Sequence, residues 1–262
     1  MDKLSLLRRL LDVSEKIITD NFEECIIKPI RDSESYEHSE YLKCLFPYVM
    51  DIIVRRAFRL SKGVWHLCNQ GYGDAGIGAV RTLFELCIDV EYIKQDKENR
   101  VERFYDHHWY AGAKFSMDLY TQMRKSVPRE KQNKIIGEYN RVKSKYQDFN
   151  DLWWSGKKPD QMAKEVGMPM SNFKLVYGTL STYVHSYSHT LDYEGEVKDD
   201  CIRIIPTQLT PSAKLLDFVA MITTIYFKYL MEGWLDASGA STTPELQRLF
   251  EEIKSTYKEW RM

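Results

Sequence analysis

Apolar residues recur at three- and four-residue spacing along most of this chain, and the places where the spacing fails mark the ends of helices. The first amphipathic run, about 2–28, stops before Pro29, because a residue ahead of a proline is pushed out of the helical region. Asp32-Ser33-Glu34-Ser35 is a polar turn. A long helix is predicted over 37–69, which Pro47 can kink or divide. Gln70-Gly71-Tyr72-Gly73 breaks the pattern, and Asp74 has the side chain of an N-cap for a helix over 75–96. At about 100° per residue, Val80, Arg81, Phe84, Glu85, Ile88 and Tyr92 share a face with Ile77, with Glu85 nearer its edge. Arg81 therefore points among apolar neighbours.

Asp96 to Asn99 is a short charged corner, and 100–126 is a helix rich in aromatics from Phe104 to Tyr120. Pro128 opens a very polar helix over about 129–150, the most basic element, with Lys131, Lys134, Arg141, Lys143 and Lys145. Trp153-Trp154-Ser155-Gly156-Lys157-Lys158-Pro159 is a loop, followed by a short helix over 160–166 that stops at Gly167. In the next helix, 171–187 with Ser171 or Asn172 as cap, Tyr177, Ser181 and His185 recur every four residues. Val176, Leu180 and Val184 form the apolar column beside them. Asp192 to Asp200 is acidic and turn-like, and Cys201 to Ile205 reads as a strand, giving a small hairpin or extended arm near 190–206. Pro211 opens a long buried helix to about 237, and Thr243-Pro244-Glu245 starts the last. No repeat or long linker divides the pattern. The expectation is all-α: one helical domain over 1–262.

Composition narrows what such a domain does. With 262 residues, 44% hydrophobic and 29% charged, the chain can bury a sizeable core. A formal charge of −1 excludes a globally basic nucleic-acid binder but leaves room for a local basic patch. Five unevenly spaced cysteines without a C-x-x-C point to reduced thiols in a cytoplasmic protein. Met1-Asp2-Lys3-Leu4 is charged from the start, unlike a signal peptide. The most apolar stretch, 215–235, is broken by Asp217, Lys228 and Glu232, so no membrane span is expected.

The order Arg81-x-x-x-Glu85, Trp154-x-Gly156-Lys157, then Tyr177-x-x-x-Ser181-x-x-Val184-His185 resembles the bacterial family of unknown function DUF5677 over about residues 50–190. The resemblance implies a helical fold on which the N- and C-terminal helices pack. The family's association with accessory genes and mobile elements implies a phage-defence or toxin-like role. The chain also resembles, more loosely, the HEPN helical superfamily, many of whose members are metal-independent ribonucleases. Their signature places an arginine four to six residues before a histidine. Here the window before His185 reads Thr179-Leu180-Ser181, so an arginine partner has to come from elsewhere, with Arg81 the best candidate.

Arg81 and Glu85, four apart, can pair. Arg81 suits a phosphate or developing negative charge, and Glu85 can orient it or act as a base; a partly buried ion pair between helices explains both equally well. His185, with Ser181 one turn earlier, is a candidate general acid or base, or Ser181 a nucleophile activated by it; no G-x-S-x-G surrounds Ser181. Tyr177, Tyr92, Trp154 and His189 are candidate substrate-binding residues. Trp153 and Trp154 fit either a pocket mouth or a loop tucked onto the core. His107 and His108 project about 100° apart on a helix, and His185 with His189 reach one metal only if their helix continues. The glycines at 71, 73, 76 and 78 lack a preceding strand or a Walker lysine, so they do not read as a phosphate cradle. No cofactor or metal is required. The basic helix is expected to be a solvated surface, and the aromatic stripe core or a face between copies, which makes a homo-oligomer the expected state. Two functions fit: a HEPN-like enzyme acting on RNA or a nucleotide, such as a ribonuclease, or a non-catalytic module binding an anionic ligand or a protein partner.

Overall fold

A computed structural model describes residues 2–21, 38–123, 129–146, 153–184, 195–198, 201–204 and 213–258. Its helices, in order, are α1 (Lys3–Asp20), α2 (His38–Asn69), α3 (Ile77–Lys94), α4 (Lys97–Met123), α5 (Arg129–Val142), α6 (Pro159–Glu165), α7 (Met170–Val184), α8 (Ala213–Ser238) and α9 (Pro244–Thr256). The expected all-α bundle is what forms. Strands β1 (Gly195–Lys198) and β2 (Cys201–Ile204) pair antiparallel, Gly195 opposite Ile204 and Lys198 opposite Cys201, which is the small hairpin.

α8 is the axis of the core. Phe227, Leu230, Met231 and Trp234 are fully buried, and the helix packs on α1, α2 and α3. Its buried hydroxyls at Thr223 and Thr224 bond back to Val219 and Ala220 carbonyls at 2.7 Å, so no polar group is stranded by these threonines. α1 and α9 lay narrow apolar stripes on this core, Leu6, Leu7, Leu10 and Leu11 from one and Leu246, Leu249, Phe250 and Ile253 from the other. Each start is capped by a side chain: Asp2 accepts from the Leu4 N–H at 3.1 Å and Thr243 from the Leu246 N–H at 3.2 Å.

α3 departs from the sequence expectation in an informative way. Besides the face with Val80, Phe84 and Ile88, residues Leu83, Leu86, Cys87, Val90 and Ile93 are also buried. A helix apolar nearly all round has neighbours all round, and α3 is enclosed by α2, α4, α6, α7 and α8. Asp74 does not cap it. Asp74 to Gly76 form a 3₁₀ turn without a side-chain cap, and the chain enters α3 through Gly76 already in helical conformation. At the next corner an aspartate does cap: Asp96 Oδ1 accepts from the Asn99 N–H at 3.4 Å, and α4 starts at Lys97. α2 runs unbroken through Pro47, and α5 ends at Val142 in a 3₁₀ turn over Lys143–Lys145.

The turn between α2 and α3 depends on its glycines. Gly71 has φ 85°, a left-handed conformation costly for other residues. Gly73 is pressed against α8: an added Cβ would lie 2.6 Å from Leu216 Cδ2 and 3.4 Å from Leu216 Cα. Gly73→Ala is expected to lower the unfolding free energy by about 1–3 kcal/mol, as overpacking does. Urea unfolding with an unchanged m-value measures it.

Candidate functional site

The polar column of α3 meets α7 through Arg81. Its Nε donates to Glu85 Oε1 at 3.2 Å and its Nη2 donates to the Tyr177 hydroxyl at 2.6 Å. The guanidinium carbon also lies 4.7 Å from the centre of the Tyr177 ring. Tyr177 in turn stacks on Phe173 and contacts Phe84, which is fixed against Tyr226 of α8. Arg81 and Glu85 are not sealed in; their side chains are 21% and 15% exposed. The Tyr177 hydroxyl is pushed up from its usual value, chiefly by burial, and stays a neutral donor or acceptor near pH 7.

Val176 and Leu180 of α7 are buried, as the apolar column requires. Ser181, one turn after Tyr177, keeps its Oγ buried without a hydrogen-bond partner among the described residues. A buried hydroxyl of this kind costs about 1–3 kcal/mol unless something completes it. His185 and His189 lie outside the described residues, as does the expected continuation of the helix to 187.

Two other candidates lie elsewhere. Tyr92 sits eleven residues beyond Arg81, about 16 Å along the helix axis, and is 5% exposed. Arg100 covers its ring at 3.7 Å. Trp154, 3% exposed, packs edge-on against Tyr92 and Phe104. Both rings belong to the core at the opposite end of α3, and neither offers a surface to a substrate beside Arg81.

What joins the two ends is Asp89, absent from the sequence reading. It continues the column one turn beyond Glu85 and is almost wholly buried. Its Oδ1 accepts both tryptophan indoles, Trp153 Nε1 at 3.0 Å and Trp154 Nε1 at 2.7 Å. Burial pushes its carboxyl up to about 7; the indole bonds oppose that shift, the Glu85 charge adds to it and Arg56 opposes it. Glu85, Ile88, Asp89, Trp153, Pro159 and Met162 meet in a tight crevice with no room for a water molecule. The sequence held a signal for this acid: an Asp at i+4 from Glu85, on a helix otherwise rich in apolar residues.

The basic helix is likewise only partly the solvated surface expected of it. Asp106 of α4 is fully buried, and its carboxylate accepts from Arg141 Nη2 at 3.0 Å and Lys145 Nζ at 2.6 Å. Glu138 holds the same guanidinium at 2.7 Å. His107, beside Asp106, rests against Tyr110 and Tyr146, and burial lowers its pKa. Among the described residues, no three His, Cys, Asp or Glu side chains come together as a metal cluster, and no helix is long and apolar enough to cross a membrane.

A family model described as "Family of unknown function (DUF5677)" matches residues 49–200, more than half of the chain. The chain belongs to this family. The DUF5677 span takes in Arg81, Glu85, Asp89, the tryptophan pair and Tyr177. α1, α8 and α9 lie outside it, although α8 fills the centre of the bundle. No curated protein and no solved structure matches the chain.

Proposed function

We propose that the Arg81–Glu85–Tyr177 cluster is the working site of a protein that acts on RNA or a nucleotide. One observation carries the reading: a guanidinium held from two sides on a core helix, with part of its surface open to solvent. A cation positioned in this way has no reorganisation left to undergo when a phosphate arrives, which is what electrostatic catalysis requires. Arg81 neutralises charge on the phosphate and Glu85 orients it. Ser181, with its unpartnered Oγ, and His185, one helical turn further in sequence, supply the hydroxyl and the proton carrier. In the RNA reaction a 2′-hydroxyl attacks the phosphorus, giving up its proton, and the departing 5′-oxygen takes one up. The looser HEPN likeness and a toxin-like or phage-defence role are consistent with this chemistry.

A second reading rests on the same bonds. Arg81, Glu85 and Tyr177 already satisfy one another, and a non-catalytic module could use them to lock α3 to α7. His185→Ala separates the two. Purified wild-type protein is expected to cleave single-stranded RNA in EDTA, and His185→Ala to do so about 10²–10⁴-fold more slowly, with an unchanged melting temperature. Intact RNA with the wild type under all conditions sinks the catalytic reading.

A further inference from the structure

α8 and α9 leave an open groove between them of about 810 Å³, within the range of small-molecule sites (about 300–1,000 Å³). One wall is a single face of α8, on which Ile225, Lys228, Tyr229 and Glu232 follow the three- and four-residue spacing of a helix. The other wall is the end of α9 and the turn after it, with Ile253, Lys254 and Lys258. The helices run antiparallel. The chain turns back between Ser238 and Pro244, the Lys228 amine lies over the Phe250 ring at 5.3 Å, and Tyr257, later on this wall, is within electrostatic reach of Asp217, earlier on α8. Glu232 is four residues beyond Lys228, and Lys254 is four beyond Phe250, so the two stand in opposite directions from that contact. Along the groove they are about 12 Å apart, at about 1.5 Å per residue.

The two ends differ in chemistry. At one, Lys228 pairs with Glu232 at 2.6 Å and is only 15% exposed, so an ammonium donor is fixed beside a carboxylate acceptor. At the other, Lys254 meets Glu251 at 3.7 Å with both side chains mostly in water, a contact of little strength. Lys258, beside it, makes no ion pair among the described residues. Between the ends the lining is apolar and aromatic: Ile225, Ile253 and the ring of Tyr229, which the Lys94 amine of α3 backs at 5.6 Å. We infer that this groove binds a nucleoside phosphate, its base against Tyr229 with the polar edge toward Lys228 and Glu232, and its phosphate at Lys254 and Lys258. A bare anion would use the lysine end alone, with Glu232 and Glu251 opposing it. A fatty acid would lay its chain against the Lys228–Glu232 pair. A nucleobase carries donors beside acceptors on its pairing edge, which a fixed ammonium–carboxylate pair matches, and its flat face suits a tyrosine. Lysines take a phosphate as point charges. α8 and α9 lie outside the DUF5677 span, and the inference holds whether or not the Arg81 cluster is catalytic.

Calorimetric titration of the full-length protein with AMP, GMP, CMP and UMP tests it. At least one should bind with a Kd below about 1 mM, and its nucleoside or inorganic phosphate alone at least about tenfold more weakly. Lys254→Glu combined with Lys258→Glu changes two exposed positions. It should weaken the nucleotide by at least about tenfold, because attraction becomes repulsion at the phosphate, and leave the melting temperature unchanged. Arg81→Ala should leave that binding as it is. Four silent titrations, inorganic phosphate binding as tightly as the nucleotide, or affinity indifferent to the lysine reversals would each overturn the proposal. So would binding abolished by Arg81→Ala, which would assign the nucleotide to the α3–α7 cluster instead.

Discussion

Asp106→Ala is expected to lower the melting temperature by about 5–10 °C. The reason is the asymmetry of a buried ion pair. Removing one partner strands the other, and the usual cost is about 3–5 kcal/mol when both are buried. Here Asp106 is fully buried but Arg141 and Lys145 keep about a third of their surface in water. They can turn outward, which brings the expected loss to about 2–3 kcal/mol, or about 2–4 °C per kcal/mol for a chain of this size. The loss should concentrate in α5, whose main packing partner among the described helices is α4. A double-mutant cycle checks the assignment. Arg141→Met should cost at least about 1 kcal/mol less in the Asp106→Ala background than in the wild type. Additive losses would show that the carboxylate and the guanidinium do not support one another.

The contrast between Asp106 and Arg81 shows what the chain made legible. Arg81 with Glu85, and Tyr177 with Ser181, are each four apart on one helix, so local periodicity placed them in two columns. The structure joins the first three of these through Arg81. The partners of Asp106 are 35 and 39 residues away, and those of Asp89 are 64 and 65. No helical period reaches that far; only the packing of α4 on α5, and of the 153–158 loop on α3, brings them together. Arg141 and Lys145, themselves four apart, did mark one face of the basic helix, but a solvated face and an acid-binding face have the same spacing. The error at Asp74 is more local. Its side chain is a good cap in isolation, but the chain passes from Asp74 to Gly76 through a 3₁₀ turn and enters α3 already helical, so no N–H is presented to it. Tyr92 shared a face with Arg81 in projection, yet projection discards the distance along the axis. That distance separates a half-open arginine from a buried ring.

Arg81→Ala should remove the function almost completely while leaving the fold in place. Preorganised cations and donors at a reacting phosphate contribute about 10²–10³-fold in rate, so a nuclease or toxin should lose activity by at least that factor. The structural cost is smaller, because Glu85 and Tyr177, freed of the guanidinium, are both within reach of water: about 1–2 kcal/mol and a few degrees in melting temperature. Arg81→Lys sharpens the test. A lysine keeps the charge but cannot bond Glu85 and Tyr177 at once through a planar fork, nor meet a phosphate with two parallel N–H groups. It should therefore fall between wild type and Arg81→Ala in stability and recover little of the rate. Cells expressing wild type, Arg81→Ala and Arg81→Lys, followed for growth and RNA integrity alongside thermal unfolding of the purified proteins, separate the outcomes. Activity that survives in Arg81→Ala with a much lowered melting temperature would mean that the guanidinium only fastens α3 to α7. Activity lost in both variants with melting preserved would place Arg81 at the reacting phosphate.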